Sequence, residues 1–127
     1  MNPPLIQPIE EVQDKLVVTL PNGGESKSAA QLIAALDFGS AQYLLDYDIT
    51  TVGRSEDNMI RVESVDVSEH HAEIFRTSAG FVLRDLGSTK GTWIGTLRID
   101  GDAFLGDQDV IRFGGVTARF VTDNPNR

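Results

Sequence analysis

Cysteine is absent from the 127 residues. Its absence excludes disulfides, thiolate nucleophiles and zinc-thiolate sites, and redox function with them. Cationic residues are scarce: 11 Lys and Arg stand against 19 Asp and Glu, a formal net charge of -8. That balance argues against nucleic acid or an anionic membrane as a partner, because Lys and Arg carry the non-specific part of such binding. Any anion must therefore be bound locally. No apolar run approaches the length of a membrane span, and Met1-Asn2-Pro3-Pro4 lacks the basic and apolar regions of a signal peptide. The expectation is a soluble cytoplasmic protein of one domain, long enough to bury a core that stands without staples.

What is present is a rhythm of short apolar runs and turns. Residues 1–28 read as an N-terminal extension or linker, with Pro3, Pro4, Pro8 and Glu10-Glu11 at its start. It contains one β-prone segment at 15–20, Lys15-Leu16-Val17-Val18-Thr19-Leu20, stopped by the turn signal Pro21-Asn22-Gly23-Gly24. An unpaired apolar strand is an aggregation hazard, so the domain, a second copy or a partner is expected to cover it. The stretch Ser26 to Ala34 has local helix propensity from its alanines. A hairpin fits better: Leu32 to Phe38, a turn at Gly39-Ser40, then Tyr43 to Tyr47, with any helix confined to short turns or to residues 26–36.

From Thr50 onward strands are predicted at Thr50 to Gly53, Met59 to Val62, His71 to Arg76, Phe81 to Asp85, Thr92 to Ile94, Leu97 to Ile99, Val110 to Phe113 and Val116 to Thr122. Period-two alternation puts Ala72 and Ile74 on one face and His71, Glu73 and Phe75 on the other, while Phe81, Leu83 and Asp85 share a face. With 12 glycines and no long amphipathic helix, the pattern predicts an all-β fold, an antiparallel β-sandwich over residues 29–123 with a disordered tail at 124–127. Loops cluster at the ends of a sandwich, which lets Arg54, Ser68 and Thr89 meet in space.

Several motifs stand in register. Val52-Gly53-Arg54 precedes the apolar pair Ile60 and Val62; Ser68-x-x-His71-Ala72-x-Ile74 follows; then Asp85-Leu86-Gly87-Ser88-Thr89 with Gly91-Thr92; then Leu105, Asp109, Ile111, Phe113 and Gly114. Together, over roughly residues 30 to 122, they resemble the forkhead-associated (FHA) domain family, modules that read phosphothreonine. The resemblance implies a sandwich of the forkhead-associated type with an N-terminal extension. It implies that Arg54 and Ser68 contact the phosphate, Thr89 hydrogen-bonds the phosphothreonine, and His71 braces the loops from behind, supported by Gly53 and Gly91. A guanidinium fork matches phosphate oxygens, and hydroxyls donate without adding charge. The implied partner is a phosphothreonine-containing protein or peptide, with a Ser/Thr kinase or its substrate among the candidates. No cofactor is implied.

Two departures fall in the binding set. Glu69 stands where the family is often basic, and Lys90 where an asparagine usually holds the ligand's backbone. Glu69 at ~4 Å from the anion costs on the order of 1 to 4 kcal/mol depending on solvent exposure, and Lys90 returns a similar amount. An ammonium only donates, so it does not replace the amide's acceptor. Gln108, where a turn glycine is common, and Ile94-Gly95-Thr96, in place of an Asn-Gly hairpin tip, bear on loop geometry.

Other patterns point to no chemistry. Adjacent His70 and His71 project to opposite strand faces and do not share a metal ion. Asp100, Asp102, Asp107 and Asp109 lack the spacing and terminal glutamate of a helix-loop-helix calcium site and read as a solvated acidic loop. Trp93 and Phe104 read as core or edge residues; exposure of either suggests an interface. A histidine near Ser68 without an acid partner and oxyanion donors is not a catalytic site. The expected function is a phosphothreonine-dependent peptide-binding module in kinase-linked signalling, not an enzyme. The alternative is a phosphate-independent interaction or assembly domain on the same fold.

Overall fold

The computed structural model describes residues 33–123. The predicted strand at 15–20, the helical option before residue 33 and the tail at 124–127 lie outside these residues. Eleven strands follow in order: β1 (Ala34–Asp37), β2 (Gln42–Leu44), β3 (Ile49–Gly53), β4 (Ile60–Arg61), β5 (Ala72–Thr77), β6 (Gly80–Asp85), β7 (Thr92–Ile94), β8 (Leu97–Arg98), β9 (Asp102–Leu105), β10 (Val110–Phe113) and β11 (Val116–Thr122). One sheet has the order β2-β1-β11-β10-β7-β8, the other β4-β3-β5-β6-β9. Among the described residues no helix is long and apolar enough to cross a membrane.

The alternation in the sequence becomes the two faces of each sheet. Thr50, Val52, Ala72, Ile74, Phe81 and Leu83 turn inward and meet Leu36, Ile111, Phe113, Ala118 and Phe120 of the facing sheet. Each large side chain so buried contributes about 1.5 to 3 kcal/mol relative to exposure. Phe81 and Phe120 lie 5.4 Å apart between ring centroids, joining the two sheets near one end. Glu73, Phe75, Val82 and Arg84 face outward by the same alternation.

The first hairpin forms where Gly39-Ser40 predicts it: Leu36 pairs with Tyr43, and the Phe38 amide donates to the Ala41 carbonyl at 2.9 Å. Gln108 has φ 77°, the left-handed conformation that its place in a glycine-type turn implies. The β7–β8 tip closes over two residues, with Ile94 opposite Leu97 and Gly95 at φ 60°.

Two corrections concern pairing. The short strand β4 runs parallel to β3, Val52 opposite Ile60, within an otherwise antiparallel sandwich. Residues 102–105, read as part of an acidic loop, form the edge strand β9 against β6. Ala103 and Leu105 pack on the core while Asp102 and Phe104 face out, so the alternation exists but is only four residues long and hidden among glycines and aspartates.

The sandwich has two poles. Gly53, Ala72, Asp85 and Thr92 end or begin their strands at one; Ile49, Gly80 and Leu105 mark the other. At that second pole Ala34 pairs with Thr122, and the Asp123 amide donates to the Ile33 carbonyl at 2.8 Å.

Candidate functional site

Three loops meet at the first pole: β3–β4 carrying Arg54, β4–β5 carrying Ser68 and Glu69, and β6–β7 carrying Thr89 and Lys90. All five side chains line one open concavity of about 320 Å³, with Asp66 on its wall. Ser68 ties the loops together. Its carbonyl accepts from the Arg54 amide (2.9 Å), its amide donates to His71 Nδ1 (3.0 Å), and its Oγ accepts from the Thr89 amide (3.1 Å). The hydroxyl proton of Ser68 is left for a ligand, since an acceptor bond does not consume it.

Arg54 is anchored through Nε, which donates to the Val67 carbonyl at 3.0 Å. It joins no ion pair among the described residues. An arginine held at Nε keeps its two terminal nitrogens available as a fork, the geometry suited to an anion.

Glu69 and Lys90 differ in how the fold treats them. Glu69 is exposed, which puts its repulsion at the low end of the Coulomb range. Its carbonyl is the part the fold uses, accepting from the Ser55 amide (3.1 Å) and from Asn58 Nδ2 (2.7 Å). Lys90 Nζ lies 3.4 Å from Asp66 Oδ1. Part of the attraction expected from Lys90 is therefore already spent on an internal carboxylate.

His71 is fully buried, and its two ring nitrogens are both occupied: Nδ1 accepts from Ser68, and Nε2 donates to the Gly91 carbonyl at 3.0 Å. These partners define a neutral ring protonated on Nε2. Burial is the larger influence on its pKa and pushes it below the ordinary value, against the opposing pull of the Gly91 carbonyl and Asp85. The ring stands edge-on to Phe113 at 5.8 Å. It sits behind the concavity rather than in it. His70 is exposed and meets Asp57 at 3.1 Å.

The glycines flanking the site are there for space. A Cβ on Gly53 would collide with the Glu69 carbonyl and the Asn58 amide. At Gly91, φ is 91° and a Cβ would come within 2.7 Å of Arg98 Nε.

The structural roles of two residues, Asn58 and the motif residue Asp85, are not foreseen from the sequence. Asn58 is buried and clamps the β3–β4 turn to β4–β5 through the Ser55 and Glu69 carbonyls. Asp85 shapes the loop that carries Thr89: Oδ1 accepts from Ser88 Oγ (2.5 Å) and Thr92 Oγ1 (2.6 Å), Oδ2 from the Gly87 and Ser88 amides (3.0 and 3.2 Å). Burial alone would raise the Asp85 carboxyl, but these donors outweigh it and hold it below the usual carboxylate range. An aspartate two to three residues before Gly-Ser is an Asx-turn signal, and it marks Asp85 in retrospect. Asn58 carries no such signal, because its partners come from a distant loop.

Comparison with known proteins places this geometry in a family. The FHA domain model matches residues 50–114. EmbR, a transcriptional regulatory protein of Mycobacterium tuberculosis, is 39% identical over 87 residues, 67% of this chain but 22% of EmbR. The glycogen accumulation regulator GarA of Mycolicibacterium smegmatis is 34% identical over 101 residues, 79% of this chain and 63% of GarA. The chain thus spans less than two thirds of the length of these relatives. Among solved structures, M. tuberculosis EmbR in complex with a low-affinity phosphopeptide superposes with a TM-score of 0.68 at 31% identity, covering 81% of this chain and 26% of that one. A structure from a study of phosphothreonine-dependent FHA domain interactions gives a TM-score of 0.63 at 32% identity, covering 71% of this chain and 94% of that one. With its motifs in register and its three loops joined through Ser68, the chain belongs to the FHA domain family.

Proposed function

We infer that this chain is a phosphothreonine-dependent peptide-binding module of kinase-linked signalling. The observation that carries the reading is Arg54, fixed at Nε and without a carboxylate partner among the described residues, opening into the same concavity as Ser68 and Thr89. In this assignment the Arg54 fork and the Ser68 hydroxyl take phosphate oxygens, and Thr89 hydrogen-bonds the phosphothreonine. Lys90 adds a second cation at the rim, Glu69 restrains affinity, and Gly53, His71 and Gly91 hold the loops. The EmbR structure with a phosphopeptide and the phosphothreonine dependence described for a related FHA domain support it. The partner is a phosphothreonine-containing protein, a Ser/Thr kinase or its substrate.

The Lys90–Asp66 pair favours a second reading, in which the same surface binds proteins without phosphate. Calorimetric titration with one peptide in phosphothreonine and threonine forms separates the two. Binding of the phosphorylated form alone is expected. Arg54→Ala should weaken it at least about tenfold, the loss of one charge-assisted contact. Equal affinity for both peptides would establish the second reading instead.

A further inference from the structure

The outer face of the β4-β3-β5-β6-β9 sheet carries a continuous apolar row. Ile49 lies opposite Phe75, Phe75 opposite Val82, and Val82 opposite Phe104, so four neighbouring strands each place one apolar side chain on the same line. The ends of the row are open: Ile49 is 44% exposed and Phe104 64%. The adjacent row is polar, Thr51, Glu73, Arg84 and Asp102 in the same register. There Arg84 is bound by Asp102 at 2.7 Å and lies 4.6 Å over the Phe75 ring. Isolated apolar residues on a surface are ordinary, but a cross-strand row ending on an unpaired edge strand invites a covering element.

We propose that this row is the docking surface for the chain's own segment Lys15–Leu20. The described domain begins at Ile33, at the pole that also holds the row. There Ala34 pairs with Thr122, and the Thr122 amide donates to Asp107 Oδ1 at 2.7 Å, two residues beyond the end of β9. Ile33 itself lies across β11 from Asp107: the Ala34 carbonyl accepts from the Leu45 amide at 2.8 Å and the Leu45 carbonyl from Arg76 of β5 at 2.9 Å, so the described chain starts at the β5 part of this pole. Residues 21–32 lie between Leu20 and Ile33; twelve residues span up to about 40 Å when extended, several times the ~10 Å that separates two packed sheets. In a strand, Leu16, Val18 and Leu20 share one face and supply apolar side chains to match the row. Lys15 adds a cation beside the polar row, where Glu73 stands opposite Arg84. Tethering gives such a segment an effective concentration near millimolar, so weak contacts suffice. A second copy is disfavoured as occupant by the net charge of -8, which repels like chains.

Because the chain has no native cysteine, one introduced thiol is labelled cleanly. Glu73→Cys carrying a nitroxide, in the full isotope-labelled chain, should strip the amide signals of residues 15–20 of most of their intensity. A mixture of nitroxide-bearing unlabelled chain with isotope-labelled unmodified chain should leave those signals intact. Phe104→Asp, altering an exposed side chain, should restore the signals and speed tryptic cleavage after Lys15 several-fold. Phosphothreonine-peptide binding at the far pole should not change, which keeps this result separate from the assignment of that site. Broadening in the mixture would make a second copy the occupant and overturn the proposal. So would undiminished signals in the singly labelled chain.

Discussion

His71 offers the sharpest quantitative test of how the recognition loops are held. His71→Ala removes both ring hydrogen bonds. The Ser68 amide, a part-buried donor, loses its acceptor, at a cost of about 1 to 3 kcal/mol. The Gly91 carbonyl suffers less, because it keeps the Gly114 amide at 2.9 Å; about 0.5 to 1.5 kcal/mol is reasonable there. The void beside Phe113 adds on the order of 1 to 2 kcal/mol, for a total of about 2.5 to 6.5 kcal/mol, partly relieved if the loop relaxes. At about 4 to 8 °C per kcal/mol for a domain of this size, the melting temperature should fall by more than 10 °C. His71→Asn is the informative companion: its side-chain oxygen reaches the position of Nδ1 but not that of Nε2, so it should restore the Ser68 contact and recover part of the loss. Urea unfolding of the three proteins measures the series, and phosphopeptide titration should follow it, weakening roughly three- to tenfold in the alanine variant as the Ser68 loop has to be ordered on binding. The pH dependence has a definite sign. The folded pKa lies below the unfolded value of about 6.5, so the stabilisation by neutral His71 is complete above that pH and is lost as pH falls from it through the lower folded value. His71→Asn should lack that contribution. An alanine variant less than about 1 kcal/mol destabilised, with asparagine no better, would refute the brace.

Two further outcomes follow from particular residues. Glu69→Arg should tighten phosphothreonine-peptide binding by about 1 kcal/mol, roughly fivefold, at moderate salt and by more at low salt, because the site is exposed; titration at two ionic strengths checks it, and equal tightening toward the unphosphorylated peptide would mark the gain as non-specific. Gln108→Gly should stabilise by about 0.5 to 1 kcal/mol, since relief of a left-handed side-chain residue exceeds the entropy a glycine adds to the unfolded chain. A lower midpoint in urea would contradict that balance.

Most of the sandwich was legible from Thr50 onward because its strands bury one face, and period-two alternation at Ala72, Ile74, Phe81 and Leu83 reports burial directly. The β9 strand was not: one inward pair, Ala103 and Leu105, is too short to stand out between Gly101 and Gly106. The parallel pairing of β3 with β4 was equally hidden, since alternation says which face a residue takes and nothing of its neighbour's direction. At the recognition pole, the meeting of Arg54, Ser68 and Thr89 was legible as a consequence of loops clustering at a sandwich end. The hold of Asp66 on Lys90 and the clamp by Asn58 were not, because each depends on distances between loops far apart in sequence.

The opposite placement of the loops and of the Ile33–Asp123 contact has a mechanical consequence. A neighbour joined beyond Ile33 or Asp123 attaches at the pole away from the concavity of Arg54, Ser68 and Thr89. Tension applied between the two ends meets the antiparallel β1–β11 ladder at its terminal pair, Ala34 with Thr122, and opens it one residue at a time toward Asp37 and Arg119. Such peeling would begin farthest from Arg54, Ser68 and Thr89, so the grip on a ligand should outlast the first yielding of the domain.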